Sequence, residues 1–285
     1  MTTESFPSSP ARHKGGAVYD SGDRSEAVRA WDDLREGALR WQLWSRLGWH
    51  DIRKRYRRSV LGPFWLTLSM AVMVASLGLI YGTLFRLDLE GYLPFLAVGL
   101  AIWTFIASFL NEGCISFIEL EPLIKNVRIP MSLHILRALW RNLIIFGHNI
   151  VIFAVVALIF GIWPGAAGLL AVAGLALLLA NAGWIMLLLG MICTRFRDVP
   201  PIIGSVIQLL FFVTPVMWKP ELLGDRRYLM VLNPFYHLLE VIRAPLLGHV
   251  PGWESWVAGL LFAVAGWTFT FVCFTRFRKR IAYWL

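Results

Sequence analysis

Charged residues and cysteines are scarce in this sequence. Only 16% of the 285 residues are Asp, Glu, Lys or Arg, whereas 58% are hydrophobic. Because a soluble domain of this size cannot hide so much apolar surface, the composition predicts an integral membrane protein. Cys114, Cys193 and Cys273 lie far apart and match no zinc-binding spacing, so we interpret them as small core residues and expect no metal site.

Missing motifs argue against three kinds of chemistry. A phosphate-binding Walker loop needs a lysine directly after a glycine, and none of the five lysines follows one. The chain is therefore not expected to hydrolyse ATP by that route. No Ser/His/Asp grouping stands out for acyl transfer, and the apolar runs contain no paired carboxylates that would couple transport to ions.

Polar side chains are rare inside the apolar runs. His148, which precedes Asn149, is the only ionisable candidate for ion coupling. We interpret it as a neutral imidazole that is hydrogen-bonded across helices, and we interpret Asn181 and Gln208 in the same way.

The first long apolar run follows a basic cluster. Ser59–Phe85 holds 27 consecutive residues without Asp, Glu, Lys or Arg, directly after the arginines and the lysine of residues 46–58. About 20 apolar residues cross the hydrocarbon core of a bilayer, and basic residues beside a span favour the cytoplasmic side. The run therefore predicts a membrane span that begins in the cytoplasm.

Five further spans follow from the same criterion. They are Tyr92–Asn111, two spans within Asn142–Thr194 that meet at a turn over 163–165, Val199–Trp218 and Ser255–Thr275. Six spans place the basic clusters at 46–58, 125–141, 195–197 and 276–280 on one side, so both termini are predicted to be cytoplasmic. The net charge of +9 is then explained by membrane topology, and we expect no nucleic-acid partner. The predicted fold is an all-α integral membrane protein.

Two segments precede this predicted transmembrane domain of residues 51–285. Residues 1–26 are rich in Ser, Gly, Pro and charge without an apolar run, which predicts a disordered cytoplasmic tail. Residues 27–50 carry apolar side chains at helical spacing among arginines, so they predict an amphipathic helix in the headgroup plane. Docking of this helix on a soluble partner is the alternative.

The longest non-cytoplasmic segment, 219–254, has an unusual centre. Pro234–Leu247 is too short to span a bilayer and too apolar for a solvated loop, so it predicts a re-entrant or interfacial helix. Glu240 and Arg243 lie three residues apart and are expected to form an intrahelical pair.

Four blocks of the sequence resemble the permease subunits of bacterial polysaccharide ABC exporters, which export O-antigen, capsule or teichoic acid polymers. The blocks are HDIRKRYRRSVLGPFWLTL, EPLIKNVRIP, FRDVPPIIGSVIQLLFFVTPVMW and NPFYHLLEVIRAPLLG, in order across about residues 30–280. The resemblance implies a channel-forming permease, without enzymatic activity, that moves a polyprenyl-pyrophosphate-linked polysaccharide, foremost O-antigen, across the bacterial inner membrane. It also implies a homodimer with two separate ATPase subunits, which would bind the ATP and Mg, so that this chain holds no cofactor.

The resemblance assigns two functional segments. The inner loop 112–130 would be the coupling helix, with Glu119, Glu121, Lys125 and Arg128 contacting the ATPase, although a solvated charged turn is the alternative. The helix predicted over 234–247 would be a gate that closes the periplasmic mouth of the channel.

Aromatic and basic residues supply the remaining candidates. Pyranose faces pack on aromatic rings through weak contacts that allow a polymer to slide. The ring candidates are Trp65, Tyr81, Phe211, Phe212, Trp218, Phe235 and Tyr236. The candidates for binding lipid headgroups or the pyrophosphate of the substrate are Arg53, Lys54, Arg55, Arg57 and Arg58. An interfacial aromatic belt and the positive-inside rule explain these two groups as well.

Two other functions stay open at this point. One is a permease of the same architecture for small hydrophobic drugs or lipids. The other is a membrane-embedded glycosyl- or acyltransferase, which would need acidic or histidine-containing loops on one face of the membrane.

Overall fold

The computed structural model describes residues 25–57, 62, 64–84, 86, 88–127, 129–221 and 228–285, and every regular element in these ranges is helical. The helices are α1 Glu26–Leu39, α2 Trp41–Tyr56, α3 Phe64–Leu84, α4 Leu89–Ile115, α5 Glu121–Asn126, α6 Met131–Ile159, α7 Gly168–Arg195, α8 Val199–Val213, α9 Tyr228–Val231, α10 Pro234–Leu246 and α11 Trp253–Trp284. The all-α class is confirmed. Apart from Ser25 and Glu26, the tail predicted for residues 1–26 lies outside the described residues.

Within the described part of the chain, five helices are long and apolar enough to cross a membrane: α3, α4, α6, α7 and α11. The chain is therefore a multi-pass membrane protein, as predicted. The fifth predicted span differs, because α8 ends at Val213 after 15 residues instead of reaching Trp218. A helix of that length measures about 22 Å, less than the hydrocarbon thickness of about 30 Å. Thr214 is extended because it precedes Pro215, which disfavours helical geometry at the residue before it.

Helix α4 lies at the centre of the bundle. In its most apolar stretch 78% of the residues are buried, against 17% for α3 at the periphery. It packs between α6 and α7 and also contacts α3, α8 and α10. Gly113 makes the close approach to α7 possible, because a Cβ there would lie 2.9 Å from the Cα of Met186. The core is thus arranged around one helix that is apolar on all sides.

The N-terminal segment forms two helices where the sequence predicts one over 27–50. The chain leaves helical geometry at Arg40, between α1 and α2. Both helices pack along α6, because Gly37 of α1 meets Ser132, while Gly48 of α2 would bring a Cβ to 3.0 Å from the carbonyl oxygen of Arg137. The two glycines let both halves contact different turns of α6, and the break at Arg40 lies between the two contacts.

Asp33 joins three helices at one end of the bundle. Its carboxylate, 2% exposed, accepts hydrogen bonds from the backbone N–H groups of Met131 (3.1 Å) and Ser132 (3.0 Å) in the first turn of α6. It also accepts from the Ser132 hydroxyl at 3.0 Å and from Nε of Arg278 at 2.9 Å. Because the first N–H groups of a helix have no partners within the helix, Asp33 caps α6 from α1 and ties both to α11.

Asp33→Asn is therefore expected to lower the free energy of unfolding by about 2 kcal/mol, because Arg278 loses its counter-charge in a partly buried site. Thermal unfolding of the purified protein in detergent measures the change. Glu36→Gln is the control. It removes another carboxylate from α1, and the partner of that carboxylate, Arg40, is exposed. That control is expected to shift stability by less than about 0.5 kcal/mol. Equal melting of Asp33→Asn and the wild type would contradict the capping assignment.

Candidate functional site

A cavity of about 770 Å³ opens at the end of the bundle opposite Asp33, between α3, α4, α10 and the chain that follows α8. It collects Tyr81, Phe212 and Trp218, three of the predicted ring candidates. Its other aromatic and charged lining residues are Tyr92, Phe95, Lys219, Glu221, Glu240, Arg243 and His249. The cavity therefore combines aromatic faces with charges of both signs.

Arg243 is buried at the wall of this cavity, with 1% of its surface exposed. It donates from Nε and Nη2 to Glu240 at 3.1 and 2.5 Å, so the predicted intrahelical pair is confirmed. It also donates from Nη1 to the carbonyl oxygen of Pro215 at 2.5 Å, and its guanidinium carbon lies 4.2 Å from the ring centre of Phe95. A buried charge is tolerated only when it is paired and hydrogen-bonded, and these contacts meet that condition. The arginine thereby fixes α10 to α4 and to the end of α8.

Two carbonyl groups of the non-helical segment 214–218 accept hydrogen bonds from distant side chains. Backbone groups that leave a helix in an apolar environment need such partners. Arg243 donates to the carbonyl of Pro215, and the Tyr92 hydroxyl donates to the carbonyl of Met217 at 2.8 Å. Asn233 Nδ2 also donates to the side-chain hydroxyl of Thr214 at 2.8 Å. The end of α8 is thus determined by contacts with α4 and α10.

Helix α10 covers the predicted gate segment except for its last residue. Asn233 begins it by accepting a hydrogen bond from the backbone N–H of Phe235 at 3.0 Å, with a proline in the first turn. His237 is buried and lies 3.0 Å from the hydroxyl of Ser255 in the first turn of α11. Helix α10 is therefore held firmly at both ends, by Asn233 and His237 at the start and by Arg243 near the end.

The other four ring candidates lie outside the cavity. Trp65 on α3 is 55% exposed at the surface of the chain. Phe211 packs on Trp103, with ring centres 5.8 Å apart. Phe235 packs on Phe262 in a separate groove, and Tyr236 lies beside His237. Within one chain, the structure thus brings three of the seven candidates together.

Residues that sequence reasoning missed also line the cavity. Tyr92 and Phe95 face it from the first turns of α4, and Lys219 faces it from the segment after α8. Tyr92 and Phe95 carried no signal, because they stand in an ordinary apolar run. Arg243 did carry a signal in the sequence. It is a basic residue in a half-apolar segment away from the basic clusters, and such a residue needs a buried partner.

The predicted coupling loop contains α5, a helix of six residues. Lys125 donates to Glu121 at 2.6 Å, and this hydrogen bond lowers the pKa of the Glu121 carboxyl below its usual range. Glu119 and Lys125 are exposed and Glu121 is half-buried. Arg128, the fourth predicted contact, lies outside the described residues. The three described side chains form a small charged surface at the basic end of the bundle.

A buried ionic network that the sequence did not reveal lies behind this surface. Asp51 of α2 receives two hydrogen bonds from Arg137, at 2.7 and 2.5 Å, and one from Arg141 at 3.2 Å. Arg141 also bonds Glu112 of α4 at 2.7 Å, and Asn142 bonds the same carboxylate at 2.8 Å. Burial raises the pKa of Asp51, but the hydrogen bond and charge of Arg137 outweigh it and hold that pKa below its usual range.

The predicted headgroup cluster follows Asp51 on α2. Arg53, Lys54 and Arg55 occupy the last turn of the helix, where positive charge is favoured, and Arg57 follows it. All four are exposed, and Arg58 lies outside the described residues. Arg55 also borders a cleft of about 270 Å³ that Glu112 and Asn142 line.

The predicted cross-helix hydrogen bonds of the polar residues within the spans differ in their outcome. Nδ1 of His148 lies 2.8 Å from the carbonyl oxygen of Ile144 in its own helix. The cross-helix hydrogen bond predicted for this imidazole is not found among the described residues. The amide of Asn181 does bond across helices, to the carbonyl of Gly259 at 3.2 Å. Gln208 is exposed on α8.

A bundle of long apolar helices with basic clusters at one end is the architecture of a multi-pass membrane protein. Over residues 42–247 the chain matches the ABC-2 type transporter family, and it belongs to that family. It is a transport subunit, and the membrane transferase considered above is set aside.

Three relatives carry the same name. The chain is 24% identical over 202 residues to the O-antigen export system permease protein RfbA of Myxococcus xanthus, which covers 70% of this chain and 78% of that protein. It is 22% and 21% identical over 223 residues to two Klebsiella pneumoniae proteins of that name, covering 76% of this chain and 86% of each relative. The resemblance to exporter permeases is confirmed.

Replacement of Arg243 is expected to disorder the wall of the cavity. Arg243→Gln should lower the free energy of unfolding by about 3 kcal/mol, because Glu240 and the carbonyl of Pro215 lose a shared buried partner. Thermal unfolding in detergent measures this loss. Lys125→Gln breaks an exposed pair of the same type and is expected to change stability by less than about 1 kcal/mol. A similar loss of unfolding free energy in both variants would contradict the conclusion that the buried contacts of Arg243 hold the wall of the cavity.

Asp51 is expected to make stability depend on acid. Because its pKa is lower in the folded than in the unfolded state, its contribution is present above the unfolded pKa of about 3.9 and is lost as pH falls through the folded value. Asp51→Asn should therefore be less stable than wild type at pH 7, and the difference should narrow between about pH 5 and 3. Unfolding midpoints of both proteins, measured across this pH range, test whether the stability difference narrows. A constant difference between the two proteins would exclude Asp51 as the titrating group.

Proposed function

We propose that this chain is the channel-forming permease subunit of an ATP-driven exporter that moves a lipid-linked polysaccharide, foremost O-antigen, across the bacterial inner membrane. The observation that carries the proposal is the similarity to three O-antigen export permeases over 70–76% of the chain. The aromatic cavity supports it, because rings such as Tyr81, Phe212 and Trp218 offer flat faces to a sugar polymer.

The proposed topology has six crossings with both termini in the cytoplasm. Helix α8 would be the fifth crossing, completed by the hydrogen-bonded segment 214–218. Helix α10 would enter the outer leaflet and return as a gate, since 13 residues span only about 20 Å. The exposed rings of Trp31, Trp41 and Trp49 support a place for α1 and α2 at the cytoplasmic membrane surface.

A second copy of the chain would complete the channel. Helix α3 buries little of its surface within the chain, and the apolar side chains Leu209, Phe212 and Val213 of α8 are 66%, 64% and 55% exposed. These two helices would face the partner copy, which would place Trp65 in or near the shared channel. Phe235 would contact substrate only when α10 moves, because it packs on Phe262 of α11 in this conformation, and Tyr236 lies beside it on α10.

Two ATP-binding subunits would supply the energy. Helix α5 would dock on them through Glu119, Glu121 and Lys125, with Arg128 nearby. The exposed Arg53, Lys54, Arg55 and Arg57, together with Arg58, would hold the substrate pyrophosphate or anionic headgroups at the cytoplasmic face.

The test begins with purification of the tagged chain from its own host in mild detergent. An ATPase is expected to co-purify and to hydrolyse ATP. Glu121→Ala and Lys125→Ala are each expected to reduce surface polysaccharide roughly tenfold while the ATPase stays active, because an interface contact of 1–3 kcal/mol is lost. Polysaccharide on electrophoresis gels and phosphate release are the two readouts.

The matched controls are Glu36→Ala and Arg40→Ala, which break an exposed pair with the same spacing on α1. These variants are expected to export normally. Absence of any nucleotide-binding partner, under conditions that preserve other membrane complexes, would remove the energy source and overturn the proposal.

A further inference from the structure

A second cavity, of about 640 Å³, lies between the last turns of α7 and α11, at the opposite end of the bundle from the aromatic cavity. Its floor is apolar and includes Met191 and Ile192 of α7 and Cys273 of α11. Its mouth carries Arg195 and Arg280, and no acidic residue is among its lining residues within the described part of the chain. We call this cavity the α7–α11 groove.

Aromatic rings hold the two guanidinium groups at the mouth. The guanidinium carbon of Arg195 lies 5.8 Å from the ring centre of Phe196 and 5.7 Å from that of Trp284. That of Arg280 lies 5.9 Å from the ring centre of Phe277. Stacking of this kind limits the motion of an arginine but leaves its N–H groups available for an anion.

Two basic residues near the end of α11 have acidic partners on α1. Arg278 pairs with Asp33, and Lys279 pairs with Glu26. Among the described residues, no carboxylate forms an ion pair with Arg195 or Arg280. These two arginines, which both line the groove, therefore place positive charge without a protein counter-ion at its mouth.

The groove lies where a membrane surface is expected. Helix α11 has 32 residues and is about 48 Å long, so its last turns extend beyond a hydrocarbon core of about 30 Å. Phe269, level with the floor, is 59% exposed, and Tyr283, at the mouth, is 87% exposed. An apolar lower part and an aromatic, basic upper part match the acyl and headgroup levels of a leaflet.

We propose that the α7–α11 groove binds one anionic phospholipid, with an acyl chain along Met191, Ile192 and Cys273 and the phosphate at Arg195 and Arg280. Charge complementarity selects this occupant, since two arginines that form no ion pair among the described residues attract anionic headgroups, and guanidinium forks bind phosphate oxygens. The site lies outside the proposed polymer path, and its existence does not depend on the exported substrate.

The experiment is native mass spectrometry of the full-length protein, with the ATPase that co-purifies, after delipidation. Phosphatidylglycerol and phosphatidylcholine are added separately. One phosphatidylglycerol is expected to stay bound per chain, whereas phosphatidylcholine should be lost at the same collision energy. Arg195→Gln/Arg280→Gln is expected to weaken phosphatidylglycerol binding tenfold or more, because the charge-assisted hydrogen bonds of both guanidinium groups to the phosphate are lost.

Arg35→Gln/Arg46→Gln is the matched control, because it removes two exposed arginines from α1 and α2 that do not line the groove. It should bind phosphatidylglycerol as the wild type does. Cys273→Trp fills the floor and leaves both arginines in place, so it should also weaken binding. Unfolding midpoints verify that each variant is folded.

Three outcomes would overturn the proposal. Equal retention of the two lipids would mean that charge does not select the occupant. Equal losses in the groove and control variants would indicate attraction to the whole basic surface instead of a site. Binding that appears only after the ATPase is removed would assign the groove to that subunit.

Discussion

The half of the structure that contains the aromatic cavity depends on the contacts of the buried Arg243 guanidinium. This guanidinium satisfies Glu240 within α10, the carbonyl of Pro215 after α8, and the face of Phe95 on α4. A charge in an apolar bundle is stable only while all these partners stay in place, because its desolvation is costly. The shape of the aromatic cavity follows from this requirement, since the same contacts position the chain that forms its wall.

The half at the basic end of the bundle is held by carboxylates instead. Asp33 caps α6 and bonds Arg278, while Asp51 binds Arg137 and Arg141 on the following turns of α6. These pairs attach α1 and α2 to the transmembrane helices, so the two N-terminal helices are part of the packed body. Between the two ends the helices rely on close apolar packing through small residues such as Gly113. The charged contacts therefore orient the helices, and the apolar contacts set their spacing.

Local patterns predicted most of the helices. Five of the six expected spans correspond to long apolar helices, because length and freedom from charge are properties of each segment by itself. The start of α10 was also predictable, since Asn233 and Pro234 form a common helix beginning. The end of α8 was not, although Pro215 was visible. Its unusual backbone is stable only because Tyr92 and Arg243, distant in sequence, supply hydrogen bonds.

The sequence by itself determined the class of this protein, the five long apolar helices among its predicted spans and, through four blocks of residues, its family. Only the tertiary structure decided which side chains meet. It joined Asp33 to Arg278 and Asp51 to Arg137, and it brought Tyr81, Phe212 and Trp218 to one cavity while Trp65 stayed at the surface. Apolar runs and charged clusters are properties of local sequence, so they can be read directly from the chain. The partner of a buried charge or ring depends on how the helices pack, and that is a property of the whole fold.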